Sequence, residues 1–418
     1  MSDERTDNRP ETRQQAQLRL LRARFRQRGI DIAPGPAGWE ENGVEYHYEP
    51  RSLLVGDQQV NVVQDHLRSR EIECEVQERN PTAPGYRVML VPGGTMHALR
   101  EVDRAMGPGV ASCNHLVHLS PGSAGNCPAS EPTPVPPDST PVPPVNKDRT
   151  AGHGVRVVVA DTGLDPEAEK RSPWLRGVTG DLDRGILENP MTEYAGHGTF
   201  IAGVIRCLAP AAEVHVRASF EPGGAQFETE LVEALMDILD NDFPDIINFS
   251  AGTWTHASRD LLTLQLFGRR RLRLHKGVLL VAAAGNDGQR QPFWPAAAPY
   301  AVSVGALDPT LSERADFSNF GGWVDVFAPG EDLINAFPVG TYIGEEPPNK
   351  GVKMKYKGMA KWSGTSFATP VIAGMAAARM SKTGENGVAA AESLIKQAQD
   401  GAIPGLGAIA VPLVNYND

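Results

Sequence analysis

Short apolar, β-branched runs recur between residues 150 and 330: VRVVVA, EVHVRA, IINF, VLLVAAA, YAVSVGAL and VDVFAPG. Several are apolar throughout instead of alternating, so both faces of such a strand must be covered. Helical patterns such as HGTFIAGVIRCL, FETELVEALMDIL and SRDLLTLQLFGRRRLRLHK separate them. That alternation predicts an α/β fold for residues 150–418, a mostly parallel sheet with helices on both faces. Sites in open sheets of this kind lie in the crevice beyond the carboxyl ends of the strands.

The residues upstream have a different pattern. Residues 44–119 read strand, helix, strand, strand, helix, strand, the βαββαβ order of a small α+β split-βαβ domain. Four of its histidines, His66, His97, His115 and His118, are taken as ordinary surface or strand residues. Residues 1–43 form a basic N-terminal arm, in which ETRQQAQLRLLRARFRQRG is an arginine-rich helix with Leu18, Leu21 and Phe25 at helical spacing. This helix either docks through its apolar stripe with the basic face in water, or binds an anionic surface or partner. Residues 120–149 are a proline-dense linker, expected to be extended and semi-rigid. It is either a plain spacer or an exposed segment where the N-terminal domain is cut away.

The formal net charge of −11 argues against nucleic acid as a partner of the whole molecule. No apolar run reaches the roughly 18–20 residues needed to span a bilayer, so no membrane role is expected. The start MSDERTDNRPETRQQ lacks an apolar signal core, which predicts a cytoplasmic location. Cys74, Cys113, Cys127 and Cys207 lack metal-ligand spacing and are expected as free thiols. No dense carboxylate loop marks a cation site, and no cofactor or metal is expected.

Four strings carry candidate chemistry. Ser366 lies in WSGTSFATPVIAGMAAA, where a glycine turn runs into an apolar helical pattern. The unpaired N–H groups and dipole of a helix start favour negative charge beside its hydroxyl. If the helix begins near Thr365, Pro370 cannot donate to the carbonyl of Ser366, which leaves a local irregularity at the serine. Asp161 ends the run VRVVVAD, and as a lone aspartate it reads equally well as a loop cap. His197 stands between two glycines in GHGTFIAGVI, where neighbouring backbone can approach closely. Asn286 follows Gly285 at the end of GVLLVAAAGNDG, a setting that also suits a left-handed turn residue.

In the order Asp, His, Ser, and with the strings DTG, HGT and GTSFATP, residues 155–399 resemble the subtilisin-like serine peptidases, the subtilases. The resemblance implies a serine endopeptidase with Asp161, His197 and Ser366 as a catalytic triad acting through an acyl-enzyme. Asn286 and the backbone N–H of Ser366 would be the oxyanion donors. By the same resemblance the strand ending in Ser250, Ala251 and Gly252 would pair with an extended peptide or protein substrate, Gly252 letting its backbone come close. Ala283 to Gly285, with the small residues around Pro295 and Ala296, would floor a pocket for an apolar side chain. FSNFGGWVDVFAPG matches a further family string and is expected beneath the site. Calcium sites are common in the family, though none is assignable here. The N-terminal domain has the element order and position of a subtilase propeptide, which would make it a partner and inhibitor of its own enzyme. The same site could instead serve a peptide ligase or macrocyclase in peptide maturation, or a non-catalytic partner-binding module.

Overall fold

The computed structural model describes residues 13–35, 46–78, 80, 84–119, 130–345 and 349–412. Seven strands form the central sheet, in the order β14-β13-β12-β11-β7-β9-β8, with every pairing parallel. They are β7 (Arg156–Asp161), β8 (Thr179–Gly180), β9 (Glu213–Ala218), β11 (Ile246–Phe249), β12 (Leu279–Ala283), β13 (Val302–Leu307) and β14 (Val326–Pro329). Successive side chains leave a strand on opposite faces. Accordingly Val157, Val159, Ile246 and Val281 join one apolar cluster, while Val158, Ala160, Ile247 and Leu280 join another. The first cluster is closed by helices α4 (His197–Leu208), α7 (Thr365–Thr383) and α8 (Gly387–Gln399). The second is closed by α5 (Glu228–Asp237) and α6 (Leu262–Arg270). The continuous apolar runs are thus explained by burial on both sides.

Upstream, α1 spans Arg13–Gln27, and the short β1 (Ala33–Gly35) pairs with β2 (Tyr46–Gly56). Then follow α2 (Val60–Ser69), β3 (Glu75–Val76), β4 (Tyr86–Leu90), α3 (Thr95–Met106) and β5 (Ala111–His118). The IECEVQE string keeps only two residues in strand form. Leu53, Val55, Met89 and Cys113 pack with Leu67, Leu99 and Val102 of the two helices. Leu54, Tyr86 and Val117 face the other way and join the cluster containing Leu231, Leu235 and Leu264 of α5 and α6. One face of the small sheet therefore rests on α5 and α6. The short strand β10 (Ala225–Phe227) extends that sheet by pairing antiparallel with β5.

The proline-dense segment differs from a free spacer wherever it is described. β6 (Thr133–Pro134) adds antiparallel to β16 (Lys353–Trp362), itself the partner of β15 (Leu333–Ile343) in a long hairpin. Val142 and Ile334 also exchange backbone hydrogen bonds of 2.8 and 3.2 Å. Proline is tolerated on such an edge because its missing N–H can face away from the ladder. The residues around the candidate cut, 120–129, lie outside the described residues, as does Cys127. Among the described residues Cys74, Cys113 and Cys207 are free thiols.

Candidate active site

Asp161 ends β7, fully buried, at the carboxyl edge of the sheet. Its Oδ1 accepts from the N–H of Thr162 at 2.8 Å, and both oxygens face His197 Nδ1, at 2.8 and 2.9 Å. A carboxylate so placed requires the Nδ1–H tautomer and leaves Nε2 to accept a proton. His197 is the first residue of α4 and is 2% exposed. A Cβ on Gly198 would sit 2.4 Å from the carbonyl oxygen of Gly163, so the second glycine is a packing requirement. Gly196 has φ +84° and abuts Pro338.

Three groups at this site were not evident from the sequence. Asp183, 1% exposed, accepts from Gly185 N–H (2.9 Å), Gly196 N–H (2.7 Å) and Thr162 Oγ1 (3.1 Å). It thereby ties the residue after Asp161 to the residue before His197. Burial raises its pKa to about 6, and the three hydrogen bonds oppose that rise. The rings of Trp362 and Phe367 lie 5.3 and 5.2 Å from the His197 ring and fix its plane by contact. A polar Asp-Leu-Asp loop and two aromatics beside a hairpin carry no spacing signal that would have singled them out.

Ser366 is the second residue of α7 and is 3% exposed. The carbonyl that Pro370 leaves without a helical donor is taken by the hydroxyl of Ser250, at 2.9 Å. Asn248 Nδ2 in turn donates to Ser250 Oγ at 3.0 Å. The irregularity expected from Pro370 is thus satisfied, and Ser250, read from the sequence as a substrate contact, also supports the turn carrying Ser366. Asn286 faces Ser366 from the end of β12, and the left-handed residue of its turn is Gly285, φ +95°. The N–H and hydroxyl of Thr365 both donate to Asn286 Oδ1, at 2.8 and 2.9 Å. Holding the oxygen end in this way presents the Nδ2 end to the site. Asn319, from the FSNFGG string, braces this loop by accepting from Asp287 and Gln289 N–H (3.0 and 2.9 Å) and donating to the Ala284 carbonyl (2.9 Å). His197, Asn286 and Ser366 line one pocket of about 20 Å³ with Trp362 and Phe367.

The cleft is occupied by the chain itself. His118, the last residue of β5, exchanges backbone hydrogen bonds with Gly252 at 3.0 and 2.9 Å, and Leu119 N–H donates to the Gly224 carbonyl at 2.9 Å. The end of β5 is therefore flanked by β10 on one side and by Gly252 on the other. A Cβ on Gly252 would lie 2.2 Å from the Phe293 ring, so the packing beneath, and not only the approaching strand, demands glycine here. Leu119 is 1% exposed in the cluster that holds Ala251 and Trp294. Ser366 Oγ donates to the Leu119 carbonyl at 3.1 Å and lies 3.4 Å from that of Ser250. Among the described residues no hydrogen bond joins Ser366 to His197, so the hydroxyl must turn from the carbonyl to the imidazole before it can lose its proton.

His115 and His118 lie in strand β5, one of the two settings expected for them, but both are buried and neither is a surface residue. His115 Nε2 accepts from His256 N–H (3.0 Å), which leaves Nδ1–H to donate to the buried Glu228 at 2.8 Å. Glu228 Oε2 also accepts from Thr263 N–H (3.1 Å) and its hydroxyl (2.9 Å). His256 further meets Asp103 (2.8 Å) and Tyr46 (3.0 Å). No group of three His, Cys, Asp or Glu side chains converges to hold a metal ion among the described residues.

Residues 152–407 match the sequence model of the Subtilase family. Subtilisin-like protease 2 of Pseudogymnoascus destructans is 32% identical over 258 residues, covering 59% of this chain and 57% of that protein. The thermophilic serine proteinase of Bacillus sp. is 30% identical over 54% of this chain and 51% of its own length. Subtilisin Savinase of Lederbergia lenta is 30% identical over 54% of this chain and 76% of its own. The chain spans about half the length of the first two of these relatives.

Proposed function

The chain belongs to the subtilase family, and from that premise we propose that it is a serine endopeptidase held in check by its own N-terminal domain. His197 Nε2 takes the proton of Ser366 as its oxygen attacks a peptide carbonyl, and Asp161 stabilises the imidazolium that forms. The resulting oxyanion is met by Asn286 Nδ2 and the N–H of Ser366. Collapse of this intermediate breaks the C–N bond, and His197 returns the proton to the leaving amine. Water, deprotonated by the same imidazole, then adds to the acyl-enzyme, releasing the acid and restoring the serine.

One observation carries this reading. The Ser366 hydroxyl bonds the carbonyl of Leu119, in a strand paired on both sides as a bound peptide would be. The N-terminal domain would thus occupy the cleft as a substrate does, with its sheet anchored on α5 and α6. A fluorophosphonate probe applied after removal of the N-terminal domain should attach to Ser366 and nowhere else, as read by peptide mapping. Persistent lack of labelling in a folded chain would refute the assignment.

A further inference from the structure

Helix α1 reads as a basic arm, and its seat on the catalytic domain has features that the triad does not use. Leu21 and Phe25, one helical turn apart, pack on Leu116 of β5 and on Ala225 and Phe227 of β10. The Phe25 and Phe227 rings meet edge to face at 5.3 Å. Around this apolar floor stand five glutamates from separate loops and helices. Arg24 faces Glu188 (3.7 Å) and Glu193 (3.6 Å), Arg28 faces Glu221 (3.8 Å) and Glu230 (3.4 Å), and Arg19 faces Glu345 (3.4 Å). Residues 13–28 contain six arginines and no carboxylate.

Each of these half-exposed ion pairs adds little by itself. Their sum decides which helix fits, because like charges meeting the rim would be repelled. Glu193 and Glu230 both titrate above the usual carboxylate range, chiefly through burial, with Glu345 and Glu221 respectively adding repulsion and Arg24 and Arg28 offsetting it. Carboxylates crowded beside a desolvated apolar floor are poorly served by water alone. The floor is also continuous with β10, the edge on which an extended peptide would lie.

Resting on the proteolytic reading above, we infer that the rim of Glu188, Glu193, Glu221, Glu230 and Glu345 around Phe227 is a docking exosite. Its occupant is an arginine- or lysine-rich amphipathic helix of a protein substrate, at a distance from the bond that is cut. In the form described here, α1 holds that seat as an internal mimic. Substrate choice then has two parts, a short extended segment on β10 and Gly252 and a basic helix on the rim.

The test uses the full chain with Arg19→Gln, Arg24→Gln and Arg28→Gln, so that the arm vacates its seat. A Phe25→Ala chain, which removes the ring contact with Phe227 and leaves the arginines in place, serves if the triple variant does not fold. A fluorescent peptide of residues 13–32 is titrated into it and followed by anisotropy. Saturable binding is expected, weakened about tenfold or more from low to high salt and lost on adding Glu221→Gln and Glu230→Gln. A peptide with every arginine changed to glutamine should not bind. Reporter substrates carrying the basic stretch should have a lower KM than those carrying its glutamine version, at equal kcat. No saturable binding, or equal KM values, would overturn the exosite. A chain that binds the peptide yet leaves every reporter intact would instead overturn the proteolytic reading alone.

Discussion

Around the seven-stranded sheet the touching side chains are Val157, Val159, Val281, Val304, Phe200, Phe367 and their neighbours, nearly all sealed from water. Between residues 13–119 and the rest of the chain, apolar contacts of Leu54, Tyr86 and Val117 with Leu231 and Leu264 are interspersed with His115, His118, His256, Asp103, Glu228 and the paired arginines of α1. Apolar contact depends little on pH or salt, whereas a seam of titratable groups responds to both. The Asp161–His197 pair and the Asn286 turn belong to the first region and are built without the N-terminal domain. The end of β5, lying against Ser366, belongs to the second. Under the proposed function, the difference suits a proteolytic body that stays assembled while its cover comes and goes.

The largest effect that would sharpen this contrast lies inside the body built on the seven-stranded sheet. Asn286→Ala should lower kcat by about 10²–10³-fold with little change in KM, a benchmark that comes from subtilisin, a member of this family, and not from this chain. Steady-state kinetics on a peptide reporter would check it, and a change confined to KM would assign Asn286 to substrate binding.

Acid should act on the seam. The rings of His47 and His118 lie 5.9 Å apart, and His47 Nε2 is buried with no partner. Burial lowers their pKa values to about 3 and about 4, the neighbouring ring and Arg22 adding to the effect at His47. Folded pKa values below 6.5 mean that the docked form binds fewer protons. Its stability is complete above about pH 6.5 and drains as pH falls toward 4 and 3, by at most about tenfold per pH unit for each ring. Amide exchange should therefore show β5 losing protection between about pH 7.5 and about pH 5, after correction for intrinsic rates, while β11 keeps it. Equal retention in both strands would remove the distinction between body and seam.

The smallest effect falls at Asp183, wholly inside the body. Its raised pKa of about 6 has the opposite sign. The stability it adds is complete below its unfolded value near 3.8 and is lost as pH rises through 6. Asp183→Asn sets an amide N–H against one of three donors, costing about 1–3 kcal/mol, and should abolish this pH-dependent component. Denaturant titrations on either side of that window would measure both changes. An unchanged pH dependence would show that Asp183 does not titrate there.

How much could be read in the sequence follows from the range of the signals. Continuous apolar runs report burial on two faces, and so β7, β11, β12 and their crossover helices were readable. Pro370 announced an unpaired carbonyl at Ser366, but the hydroxyl that meets it comes from residue 250, and no local pattern reveals a partner at that distance. His115 and His118 looked like any strand histidines because Glu228 and Gly252, which they meet, lie far away in the sequence. The proline-dense stretch read as a spacer because composition reports the absence of a core and says nothing about an available sheet edge such as β16. Asp183 remained hidden because its role depends on where Gly196 and Thr162 lie in space.

The most direct measurement is the intact mass of the purified chain beside its Ser366→Ala variant. The wild type should separate into two fragments cut within about two residues of Leu119, while the variant stays whole, because only Ser366 attacks the strand lying against it. An uncut wild type that still reacts with a serine-directed probe, or a variant cut at the same place, would contradict the claim that the end of β5 lies at Ser366 as a substrate.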